Sequence, residues 1–265
     1  EQRSGERTMW FGRIGVLLVA MAALNGLLAS AAFGAIKTEA AQLYVEDTKG
    51  TQTTLPTGTS RVATQKIVKH TETELGAKFT FRAKIGSPEG PFVHLTATGL
   101  NCIGCKAENK VTSTGASVIA TGAVKLEYTG VTAMEPEGCV VSSETGVKGT
   151  MVTKPLTLHM DWMHEGKAFV SLFPTSGTTF AQIRVNEGGC TAIAGAYNVT
   201  GTIFGEAKSK TGVFNTESQV ETSPAIQKTT GAELKVGGNL AEVTGTSATS
   251  IRNAANTANV PFSVK

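Results

Sequence analysis

Helical periodicity, charge and aromatic side chains are all scarce in this sequence. Beyond residue 35 no stretch sustains a 3.6-residue apolar period, so the composition suits short strands and many turns and not helices. Charged residues make up 17% of the 265, below the usual quarter. Lys and Arg number 24 against 21 Asp and Glu; three of the basic and two of the acidic ones precede residue 36, which leaves 21 against 19. Scattered, nearly balanced charge of this kind calls for no nucleic-acid partner. Two Trp and three Tyr, mostly at core parity, are few for a carbohydrate-binding row of exposed rings. There is no nucleophile-elbow G-x-S-x-G, no P-loop and no dinucleotide fingerprint. His70 and His94 stand on separate strands with no local Ser or Cys nucleophile. No cofactor is called for, and an enzyme is not expected.

What is present is strand alternation. The stretch 154–185 reads as a central meander: Leu156, Leu158, Met160 and Trp162 share one face and Thr157, His159 and Asp161 the other. Turns at His164–Gly166 and Pro174–Gly177 then separate strands at Lys167–Phe173 and Thr179–Val185. In 77–85, Phe79, Phe81, Ala83 and Ile85 oppose Lys78, Thr80, Arg82 and Lys84, and Phe92–Leu100 returns as the hairpin partner. Further strands are expected at Leu43–Glu46, Ser60–Thr71, Lys110–Ser113, Ala123–Tyr128, Phe214–Glu221, Leu234–Val236, Ala241–Gly245 and Val260–Val264. The last should lie at an edge, because Pro261 cannot donate to a ladder. Val147–Val152 echoes Val199–Phe204, with a fainter copy at Val243–Thr246; the shared glycine reads as a bulge or a close approach.

Residues 1–35 read as a signal peptide or a membrane anchor. Arg3, Arg7 and Arg13 precede the apolar run Ile14–Phe33, which ends in small residues, so cleavage is expected after Ala32, Gly34 or Ala35. If uncleaved, residues 14–33 are the only membrane contact; about 20 apolar residues can just span a bilayer. No Cys near the cleavage zone offers a lipid attachment point. The remainder lies outside the cytoplasm, secreted or at the cell surface.

Four cysteines in an exported chain point to disulfides, with three possible connectivities. Cys102–Cys105 with Cys139–Cys190 is the expected pairing, because the second bridge closes the base of the meander. A four-Cys zinc site would need a second close pair, which Cys139 and Cys190 do not supply. A redox-active CxxC would need a βαβ setting. His159, Asp161 and His164 are the one cluster that resembles a metal or acid/base site, and its plainer reading is a polar strand face ending in a turn. Paired glycosidase carboxylates need proximity in space and leave no local motif.

The order TKPL (Thr153–Leu156), LFPTSGTTF (Leu172–Phe180), a Cys, then VTGTIFGE (Val199–Glu206) resembles a group of secreted, β-rich proteins of unknown function from soil actinobacteria. The resemblance covers 139–206 and brings no catalytic or binding residues with it. His159, Asp161 and His164 are not features of that group. It implies export and β architecture.

The expected fold is all-β: an antiparallel β-sandwich, one large or two small, behind an N-terminal signal or anchor helix. Its halves are 36–135 and 136–265, with Thr132–Gly138 the boundary. The expected role is a non-enzymatic cell-surface or extracellular protein, in adhesion, envelope structure or assembly, with an extracellular or cell-envelope partner. An extracellular carbohydrate-binding module is the alternative, and a metal-dependent hydrolase centred on His159, Asp161 and His164 stands behind it.

Overall fold

Alternating apolar and polar residues predict strands wherever the chain is free of Pro, and strands are what forms. The computed structural model describes residues 41–69, 78–86, 88–112, 115–164, 167–186, 190, 193–209 and 212–265, with side chains at 111–123 and 160–167 outside the description. The expected N-terminal helix, the calls on residues 1–35 and His70 lie outside the described residues.

The first half runs β1 (Leu43–Glu46), β2 (Gln52–Thr54), β3 (Ser60–Val68), β4 (Phe79–Lys84), β5 (Phe92–Ala97), β6 (Gly99–Ile103), β7 (Lys106–Thr112), β8 (Gly115–Thr129) and β9 (Thr132–Glu135). Then come β10 (Val140–Ser142), β11 (Thr150–Val152), β12 (Leu156–His164), β13 (Lys167–Pro174), β14 (Thr179–Asn186), β15 (Gly195–Gly201) and β16 (Ile203–Ala207). The chain closes with β17 (Ser218–Thr222), helix α1 (Pro224–Thr230), β18 (Leu234–Val236), β19 (Asn239–Arg252), β20 (Asn259–Val260) and β21 (Phe262–Val264).

The fold is all-β and its pairings are antiparallel, as the alternation requires. One ladder follows β3, β7, β8, β12, β13, β16, β17 and β19 and returns to β3, so the circuit is closed. A sandwich would leave open edges in each sheet; this ladder leaves none. A second ladder follows β10, β14, β15, β18, β19, β4, β5 and β9. Between its ends, Gly149 accepts from the Val131 amide and donates to the Val141 carbonyl, each at 2.9 Å. Strands on either side of Thr132–Gly138 therefore pair with one another, and the described residues form one compact unit.

Two long strands run on beyond the closed ladder, and one of them, β19, belongs to both ladders. In β19, Ala241–Thr244 pair with β4, while Thr246–Ile251 pair with β3. In β8, residues up to Val124 pair with β7 and β12, and Lys125–Thr129 with β6 and β11. At the crossing in β19 sits Gly245, where a Cβ would come within 2.7 Å of the Phe79 ring. Gly201, in the echoed Val-x-Gly-Thr motif, has φ 111°, and a Cβ there would overlap the Glu233 carbonyl oxygen. The echoed glycine thus marks a close approach at Gly201 and Gly245, while Gly149 is in ordinary contact and takes a positive φ of 69°.

The predicted meander is divided. β12 and β13 form the expected hairpin, but β14 takes its partners from β10 and β15 in the second ladder. Pro261 likewise splits the last strand: β20 pairs with β19, while β21 pairs with β1 and bridges to Asn215, so β21 is not a free edge. The sequence predicts no helix beyond residue 35, yet α1 forms over seven residues. Ser223 accepts from the Ile226 amide, Pro224 opens the first turn, and Gly231 at φ 68° ends it. Its Gln227 amide clamps both backbone groups of Phe204, donating at 2.8 Å and accepting at 3.2 Å.

β1, β2 and β21 make a small sheet across one end of the closed ladder. Leu43 of β1 and Phe262 of β21 are buried against the interior. Asn109 of β7 fixes this cap: its Oδ1 accepts from the Leu43 amide at 2.8 Å, and its Nδ2 donates to the Leu43 and Leu55 carbonyls at 3.0 and 2.7 Å. Removing it strands three buried backbone groups. Asn109→Ala should therefore lower stability by about 2–3 kcal/mol in urea denaturation. A loss below about 0.5 kcal/mol would show that the cap is held by other contacts.

Candidate functional site

The cysteines come together in the expected pairs. Cys102 is the last residue but one of β6 and Cys105 precedes β7, with Cα atoms 5.6 Å apart across the Gly104 turn. Cys139 precedes β10 and Cys190 follows β14, with Cα atoms 5.5 Å apart beside the Val140–Asn186 register pair. Both pairs lie at disulfide distance, which is compatible with an extracytoplasmic location. Because β10 and β14 are already partners in a ladder, the second bridge locks a long loop without displacing backbone. In the chain-entropy model such a closure is worth about 4 kcal/mol.

His159, Asp161 and His164 are all on β12. His159 faces away from the interior, opposite Ser171, and its ring lies edge-on to Phe173 with centroids 5.1 Å apart. A register shift falls between His159 and Trp162, interrupting the alternation that puts His159 and Asp161 on one face. The side chains of Asp161, Trp162 and His164 lie outside the described residues. Among the described residues no three His, Cys, Asp or Glu side chains gather as metal ligands.

The more developed feature is internal. Each ladder encloses a cavity, of about 90 Å³ in the second and about 70 Å³ in the closed one. Phe79, Tyr128 and Ile203 line both, so these residues form the partition. The Phe79 and Tyr128 rings meet at 57° with centroids 5.8 Å apart. Among the described residues no charged side chain lines either space.

The two cavities differ in chemistry. In the second ladder the threonines are already engaged: Thr96 with Thr132 at 2.9 Å, Thr153 with the Leu126 amide at 3.0 Å, and Thr80 with the Thr244 carbonyl at 3.5 Å. That wall is effectively apolar. In the closed ladder Gln65, Ser247 and Thr249 face the cavity from the adjacent strands β3 and β19, Gln65 directly opposite Thr249. No described residue supplies a hydrogen bond to any of these three side chains. Opposite them stand Leu158, Val170 and Leu172.

On the outer face, Arg82, Lys84, Phe92, Asn239 and Leu240 line an open cleft of about 430 Å³. The Arg82 guanidinium carbon lies 4.1 Å from the Phe92 ring centroid. Lys84 Nζ donates to the Pro88 carbonyl at 2.5 Å. Elsewhere on the surface, the Lys154 ammonium at 2.5 Å holds the Glu144 carboxyl below its usual range. The Thr51 and Lys49 amides do the same for Asp47.

The interior polar wall carries no sequence signal that periodicity could find. Gln65, Ser247 and Thr249 sit where alternation expects apolar residues, so they read as solvent-facing. Only the pairing of β3 with β19 turns them inward.

Burial in the partition pushes the Tyr128 phenol well above its usual 10.0. The neutral form is thus favoured by folding, and its contribution is complete below pH 10 and lost as pH rises above that value. Stability should fall by about 1.4 kcal/mol per pH unit above pH 10, and Tyr128→Phe should flatten that slope. Urea midpoints for the two proteins measure it; equal slopes would contradict the buried placement. No family model matches the chain, and neither a curated protein nor a solved structure matches it.

Proposed function

We propose that this chain is an exported, non-enzymatic β protein of the cell surface or extracellular space, working by binding in adhesion, envelope structure or assembly. The observation that carries the reading is the pair of disulfide-distance bridges, each set where two strands are already in place. Such a body suits an oxidising compartment. In this reading residues 1–35 direct export, as signal peptide or as anchor through 14–33, and the partner belongs to the cell envelope or its surroundings. The resemblance to secreted proteins of soil actinobacteria supports the same compartment.

A second reading is a carbohydrate-binding module. It is favoured by the half-exposed Phe92 in the outer cleft, set beside Asn239 and two cations that can donate to sugar hydroxyls. Loss of glycan retention in Phe92→Ala, with the fold intact, would select this reading.

Export and disulfide state are read together by intact-mass spectrometry, without reduction, on protein recovered outside its native host. The expected result is a chain beginning at residues 33–36 with both bridges formed, or a membrane-retained chain that keeps 14–33. Free thiols, or recovery from the cytoplasm alone, would overturn the proposal.

A further inference from the structure

We propose that the closed ladder is a binding site for a small uncharged amphiphile, such as a short aliphatic or aromatic alcohol. This deepens the binding function proposed above but rests on the interior geometry alone. The cavity has two unlike walls: Gln65, Ser247 and Thr249 on β3 and β19, and Leu158, Val170 and Leu172 on β12 and β13. Ser247 is buried and Gln65 and Thr249 are half-buried, so the wall presents polar groups that can turn to a ligand. A ligand hydroxyl or carbonyl can bond the Gln65 amide and the two hydroxyls at once, while its hydrocarbon part lies on the aliphatic wall.

Size and charge define the ligand class. About 70 Å³ accommodates roughly five waters at 10–15 Å³ each. With the cavity of about 90 Å³ beyond the partition, the space slightly exceeds the roughly 150 Å³ of an engineered cavity that takes benzene. Movement of the Phe79 and Tyr128 rings would join the two, giving room for a ligand of about six to eight heavy atoms. The second cavity is apolar and suits the tail. Among the described residues neither cavity offers a cation, so a carboxylate would enter without a partner and its desolvation would go uncompensated. The site therefore selects an alcohol over the acid of the same length.

The test is titration of the folded, disulfide-intact chain with hexanol and, separately, with hexanoate at neutral pH. Methyl NMR of Val170, Leu172 and Val220 and thermal unfolding are the readouts. Hexanol should shift those methyls saturably and raise Tm by about 3–5 °C at tenfold its Kd, while hexanoate does neither. Gln65→Leu, an apolar residue suited to the interior, should weaken hexanol binding about fivefold. Absence of saturable shifts in the wild-type methyls overturns the site, and equal binding of hexanoate overturns the ligand class. Shifts confined to the Phe92 cleft also overturn it. None of these results depends on export, so a failure here leaves the compartment assignment standing, and free thiols in the exported protein leave the site standing.

Discussion

The continuity of β19 through both ladders is the constraint on which the structure depends. A backbone hydrogen-bond ladder closes only if its last strand meets its first, and β19 meets that need for the closed circuit while also joining β18 to β4 in the second ladder. Its companion β8 also runs on from the closed circuit, where its last residues pair with β6 and β11. Each ladder therefore presupposes the other, which accounts for the strand pairing across the middle of the sequence. The glycine at the crossing lets Phe79 lie against the strand backbone, and Phe79 in turn divides the interior. A single backbone requirement thereby sets the packing and the shape of the interior space.

That interior links fold to function. Closure removes the edges through which a β protein pairs with other chains, leaving only short ones such as the three exposed residues of β2. Binding by strand addition is then less suited to this body than binding at its cleft or inside its ladders. The uncharged lining and the Phe79–Tyr128 partition favour neutral ligands. The disulfide-distance pairs tie down loop ends, and Cys105 also reaches the lining of the closed ladder's cavity.

Much of the strand content was legible because its signal is local. Alternation in 77–85 and 92–100 identified β4 and β5 and their register, and the spacing of the cysteines identified both pairs. What was not legible is set by distant partners or by very short elements. Helix α1 is too short for an apolar period, although Ser223, Pro224 and Gly231 mark its ends. Nothing near Pro174 reveals that β14 leaves the hairpin for the second ladder. The register shift after His159 is equally silent in the sequence. Gln65, Ser247 and Thr249 are polar residues turned inward, and a pattern that equates polar with exposed misreads them.

The most direct measurement is native-state hydrogen exchange along β19, comparing amides in Ala241–Thr244 with those in Thr246–Ile251. Shared ladders predict one cooperative unit, with both groups exchanging at the same free energy and that value equal to global unfolding. Two separated free energies, with one segment opening while the other stays protected, would show two independent bodies and contradict the account.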